Sequence, residues 1–313
     1  MDESHMKVGG HPATIAVSTA MTVGEHTGAS GKDVLCGIVQ GYEAAGRIGE
    51  CIYPTYVARG MHNCLVSVFA GTVAAGKLLG LDSEQMTHAI ALAATSMGGL
   101  RISTNTIARE YHAGLSATQS INAALAALKG YAIDEHILEI QDGFFDTFGS
   151  STDPGAVVRN LGEDWDIVTD MAVKLVPGTH GLHAIAEAAA GAAKSGDISP
   201  HEIQQITVIA SPHYEHWMVH LHPKDYAGVL HSLPYYVAAA VVDRDFSWEH
   251  VSAEKIGDPV ISSIQDKVRL QISVGEVLYD YPKGGTVLIT TRDGKEVSHT
   301  VDWPKGSPQR LRG

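Results

Sequence analysis

From about residue 13 to residue 145, apolar residues recur three and four positions apart along a chain rich in Ala and Gly, which is the period of amphipathic helices. In SGKDVLCGIVQGYEAAGRIGE, Val34, Ile38, Tyr42 and Ile48 fall near one helical face, and Ser30 with Asp33 approximates a capping box. LDSEQMTHAIALAATSMGG begins on the capping residue Asp82 with Gln85 three positions later, and Gly98-Gly99 is expected to end that run. So many small residues allow helices to approach closely, which predicts a compact bundle.

The pattern changes after DGFFDTFGSSTDPG, which reads as a loop from its Asp, Gly, Pro and Ser content. The helical stretch HAIAEAAAGAAKSG is followed by SPHEIQQITVIAS, where Ser199, Pro200 and Glu202 start a very short helix that runs into a strand. KVRLQIS alternates, and GTVLITTRDGKEVSHTVDW is two β runs around the hairpin signal Asp293-Gly294. The expected fold is an all-α helical domain over residues 1–170, followed by a smaller α+β domain over residues 171–313. A ligand cleft is expected between them.

Composition narrows the chemistry. A hydrophobic content of 44% with 18% charged residues is that of a globular protein, and a formal charge of −13 argues against a nucleic-acid partner, since the phosphate backbone needs a basic surface. An anionic substrate would require a local cationic pocket. Cys36, Cys51 and Cys64 are odd in number and lack CxxC spacing, which fits a reducing compartment. With no apolar run of about 18 residues and no signal-peptide pattern, no membrane partner is expected, and the expected location is cytoplasmic.

The chain has no GxGxxG after a strand, no GxxxxGK[ST], no HExxH and no GxSxG. HYEHWMVHLHP places His213, His216, His220 and His222 within ten residues, with Glu215 among them, a set that could ligate a metal on a continuous helix. Pro212 and Pro223 break that continuity, so the stretch reads as a histidine-rich loop, and neither a metal nor a cofactor is expected. Other histidines stand at loop-to-helix junctions: His62 before CLVSVFAG, Arg109 three residues before His112, and Lys174, Thr179, His180 and His183 around VPGTHGLH. Helix N-termini at such junctions favour anions.

DESH followed by HP, GYEAAGRIGE, GMHN with FAGTVAAGKLLGLDSEQMTHAIALAATSMGGL, REYHAG, DGFFDTF, VKLVPGTHGLHAIAEA, HSLPYYVAAAVVD and YPKGGTVLITTRDG occur in the order of the MmgE/PrpD family, which the chain resembles over essentially its entire length. The resemblance implies a metal-independent enzyme with a helical domain and an α+β lid domain, a homodimer with its site between the domains. Members include 2-methylcitrate dehydratase, cis-aconitate decarboxylase and iminodisuccinate epimerase, all moving protons next to carboxylates. By resemblance His11, His62 and His183 are catalytic, and Ser4, Arg109, Lys174 and Tyr214 bind substrate, with Ser4 standing where the family commonly has threonine. Arg109 replaces a family lysine, Asn63 a proline, and Thr179 stands where the decarboxylase carries histidine.

These matches lead to an expected lyase of the 2-methylcitrate dehydratase type, which removes a proton alpha to a carboxylate of a di- or tricarboxylate and expels water. His62 and His11 supply base and acid, in an order the sequence leaves open. An epimerase or decarboxylase of the same family, and a non-catalytic paralogue that binds a polycarboxylate, are the alternatives. Relatives also carry helical segments before DESH and after WPKGSPQRLRG, so a shortened member is expected, partnered by a second copy or by a separate N-terminal polypeptide.

Overall fold

The computed structural model describes residues 3–96, 98–149, 153–273 and 284–311. The chain forms two compact units that divide between Val173 and Lys174.

The first unit is a helical bundle: α1 (Pro12–Thr27), α2 (Gly31–Glu50), α3 (Thr55–Ala58), α4 (Cys64–Leu79), α5 (Ser83–Ala94), α6 (Ala108–Leu128), α7 (Phe144–Phe148) and α8 (Asp166–Thr169). Its starts follow from local chemistry. Ser30 accepts from the Asp33 N–H to open α2, and Asp82 with Gln85 forms a complete capping box on α5. The central helix is α4, buried along Leu65, Val66, Val68, Phe69 and Ala70, with α1, α2, α5 and α6 packed around it. Backbones come close enough that the Ser116 and Ser120 hydroxyls on α6 donate to the Cys64 and Val68 carbonyls of α4.

Three features depart from the expected pattern. A two-stranded antiparallel sheet, β1 (Glu3–His5) with β2 (Met171–Val173), is built into this otherwise helical unit, pairing Glu3 with Val173 and Ser4 with Ala172. The stretch expected to be loop contains α7, because Phe144 packs edge-on against Phe69 at 5.1 Å and against Phe148 at 5.0 Å, and burial of those rings outweighs the turn-forming residues around them. Helix α5 stops at Ala94, before the glycine pair, where the Thr95 and Ser96 hydroxyls donate to the Leu92 and Ala93 carbonyls. The region leading to β2 is fixed from α2: Arg47, paired with Glu43, donates to the carbonyls of Val157, Arg159 and Asp164, and Glu43 accepts the Asp166 N–H.

The second unit is α+β. It contains α9 (His180–Gly196), β3 (Ile203–Ala210), α10 (Tyr226–Val229), α11 (Leu233–Val242), α12 (Ala253–Ile256), α13 (Pro259–Gln265), β4 (Val268–Ile272), β5 (Gly285–Thr291), β6 (Glu296–Val301) and α14 (Pro308–Leu311). The sheet order is β4-β3-β5-β6, with β3 and β4 parallel and the other pairs antiparallel. Asp293 and Gly294 turn β5 into β6, and Gly294 has a φ of 86°. Helices α9 and α11 pack together and against the sheet, burying Leu182, Ile185, Val237 and Val241 with Ile206, Val208, Val287 and Ile289. Among the described residues no helix is long and apolar enough to cross a membrane.

Candidate active-site residues and their relatives

In the first unit, the pairing of β1 with β2 fixes the Glu3 backbone. The Glu3 carboxylate accepts the Ala13 N–H at 2.8 Å in the first turn of α1, while its carbonyl lies 2.7 Å from His11 Nδ1. A carbonyl only accepts, so Nδ1 of His11 carries a proton, and in the neutral ring the lone pair is on Nε2. Ser4 is buried within β1. Glu3 is a site neighbour that the sequence alone does not single out. Its signal was an acid beside the start of a helix, a capping position that only the strand pairing reveals.

His62 sits where two loops join. Its N–H donates to the Gly99 carbonyl at 2.9 Å and Arg101 N–H donates to Gly60, a short ladder that places His62 just before α4. Asn63 donates to the Gly9 carbonyl at 3.3 Å, which ties this loop to the one carrying His11. The Cys64 N–H donates to His62 Nδ1 at 3.2 Å, so the proton of the His62 ring resides on Nε2, the opposite tautomer to His11. Burial, then the neighbouring His112 and the Arg109 guanidinium, push His62 down to about 4, so it is uncharged at neutral pH. Arg109 and His112, three residues apart at the start of α6, share a side, and the His62 and His112 rings meet edge-on with centroids 5.0 Å apart. The structure therefore brings together His62, Arg109 and His112. His112 stands at this junction in the sequence, but its spacing from Arg109 alone assigns it no role.

In the second unit, Lys174 precedes a bend over residues 175–178, and His180 and His183 lie in the first turn of α9. Burial and then Lys174 push His180 down to about 3, and burial, His180 and Lys174 hold His183 well below the usual imidazole range. His183 Nε2 and the Tyr236 hydroxyl both donate to the Pro177 carbonyl, at 3.1 and 2.6 Å. Gly178, at φ 94°, is required here, because a β-carbon would stand 1.7 Å from the Tyr236 hydroxyl oxygen. Thr179 donates to the Leu230 carbonyl at 3.0 Å. Tyr214, expected among the substrate ligands, is buried and donates to the Gly181 carbonyl at 2.7 Å.

The histidine-rich stretch is a 3-10 turn over Pro212–Met218 and the loop after it, and its side chains go to separate partners, His222 to Asp266 and His216 to the Trp217 ring. Among the described residues, the acids close enough to share a cation are Glu50, Asp166 and Asp170, and the Lys7 ammonium already lies 2.9 Å from Glu50 and 3.0 Å from Asp170. A surface cleft along β4, lined by Glu215, Met218, Leu221, Gln265 and Arg269, contains none of the histidines described above.

Residues 1–156 match the model of the MmgE/PrpD N-terminal domain, and residues 177–311 match that of the MmgE/PrpD C-terminal domain. The chain is 26% identical to the cis-aconitate decarboxylase-like protein oryM of Aspergillus oryzae, over 94% of this chain and 65% of that protein. It is also 26% identical to a cis-aconitate decarboxylase of Aspergillus terreus, over 98% of this chain and 68% of that one. The chain thus spans about two thirds of the length of these relatives.

Proposed function

The chain belongs to the MmgE/PrpD family, and from that premise we propose that it is a lyase that transfers a proton at the carbon next to a carboxylate of a di- or tricarboxylate, with loss of water. One observation carries this reading: two histidines from adjoining loops have opposite tautomers, and Arg109 stands beside His62. His11 offers a lone pair on Nε2 and acts as the base. His62, uncharged and with its proton on Nε2, acts as a fixed hydrogen-bond donor to the enolate-like oxygen that develops as the proton leaves. Arg109 clamps a carboxylate. Lys174, beside the uncharged imidazole of His180 in the second unit, is a further cation suited to a carboxylate.

Decarboxylation is the second reading, favoured by the names of the relatives. Against it, position 179, where the resemblance places a decarboxylase histidine, holds a threonine whose hydroxyl is committed to the Leu230 carbonyl. The test is incubation in D2O with racemic 2-methylcitrate, citrate and cis-aconitate, following unsaturated product, α-deuterium incorporation and released carbon dioxide. The expected result is unsaturated product from a 2-hydroxy tricarboxylate. Carbon dioxide from cis-aconitate with no dehydration would favour the second reading, and no exchange or product from any of the three would overturn both.

A further inference from the structure

A histidine that delivers a proton must exist as the imidazolium, in which both ring nitrogens are donors. His62 is unsuited to that state, because its Nδ1 faces the Cys64 N–H and it is 2% exposed. The elimination still needs an acid for the departing hydroxyl. His112 meets each requirement. Its Nδ1 lies 3.1 Å from the Ser103 hydroxyl, which accepts from a protonated nitrogen as readily as it donates to a bare one. Its ring is only partly buried, so solvent can reload it. It stands edge-on to His62 and on the same side of α6 as Arg109. The backbone makes room for this pair: at Gly99, φ 126°, a β-carbon would stand 3.0 Å from His112 Nδ1 and 3.4 Å from His62 Cβ.

We propose that His112 is a further catalytic residue, the acid that protonates the leaving hydroxyl, with Ser103 as the positioning residue that holds its ring. This rests on the proton-transfer reading of the same residues. His11 Nε2 takes the proton from the carbon next to the carboxylate, and the electron pair of that C–H bond becomes the new C=C bond. The neighbouring C–O bond breaks, its pair leaves with the oxygen, and that oxygen takes the Nε2 proton of the His112 imidazolium and departs as water. His11 ends protonated and His112 neutral, and one proton exchanged with solvent restores each.

The test has two arms on the full chain. In the first, 15N spectra of labelled histidine and arginine side chains are followed while tricarballylate, an unreactive tricarboxylate, is added. Shifts at both Arg109 and the His112 ring nitrogens are expected. A shift at Arg109 without one at His112 overturns the assignment, whereas silence at both overturns it together with the polycarboxylate reading itself. In the second arm, His112→Gln is compared with the wild type on the substrate that reacts. Elimination should fall roughly a hundredfold or more, while α-deuterium exchange stays within about threefold, because the base step survives; Ser103→Ala should show a weaker form of the same split. Equal loss of both steps, or retention of both, overturns the proposal.

Discussion

Arg109 keeps the charge of the lysine that the family resemblance places there but changes its shape. A guanidinium meets a carboxylate with two parallel N–H donors, and an ammonium meets it as a point. Arg109→Lys should therefore raise KM by about tenfold, the loss of roughly one charge-assisted hydrogen bond at ~1.4 kcal/mol, with kcat little changed. Steady-state kinetics on the reactive substrate check this, and an unchanged KM would place the guanidinium away from substrate. The roles of the histidines also divide at this scale. The choice of His11, His62, Arg109 and Lys174 as carriers of the proposed chemistry rests on residues, spacing and resemblance. Which ring nitrogen bears the proton is not readable from these, because it depends on whether a carbonyl, as at Glu3, or an N–H, as at Cys64, faces the ring.

Among the elements, the turn that feeds α9 is set by a single close approach. Gly178→Ala adds a β-carbon at a positive φ and drives it into the Tyr236 hydroxyl that holds the Pro177 carbonyl. The expected cost is ~2–4 kcal/mol, read by denaturant unfolding, and Tyr236→Phe in the same chain should recover part of it, since the clashing oxygen is gone. Additive losses in the double variant would show that the contact does not govern the turn. The elements legible in the sequence were those specified locally: the Asp82-Gln85 cap, the Ser199-Glu202 start and the Asp293-Gly294 hairpin each need only a few consecutive residues. Those missed depend on distant partners. Strands of three residues leave no periodicity to read, and β1 finds its partner at the far end of its unit. Helix α7 exists because its phenylalanines meet Phe69 and each other.

For the whole molecule, the buried uncharged imidazoles make stability depend on pH. In the unfolded chain each of His62, His180 and His183 binds a proton near pH 6.5, while the folded rings decline it until about 4 for His62, about 3 for His180, and well below the usual range for His183. Folding is thus favoured in full above about pH 6.5 and loses stability as the pH falls below that value. The loss is about 1.4 kcal/mol per pH unit for each of His62 and His180, or about 2 kcal/mol each by pH 5, and His183 adds to it in the same direction. Since two of these rings lie in the second unit, amide protection factors, corrected for the slower intrinsic exchange at the lower pH, should fall more there than in the first unit between pH 7 and pH 5, and His180→Gln should flatten the pH dependence of the melting temperature. An equal fall in both units, or an unchanged slope in the variant, would contradict this.

The antiparallel pairing of β1 with β2 also has a mechanical meaning. Because Glu3 lies opposite Val173, the chain enters the first strand and leaves the second at the same end of the ladder. Tension between the two would peel the pair open like a zipper, loading one rung of hydrogen bonds at a time instead of sharing the force among all of them. The first rung to give is the one at Glu3, whose carbonyl orients His11. A pull on those two strand ends therefore loosens the hold on His11 before it opens the rest of the pair.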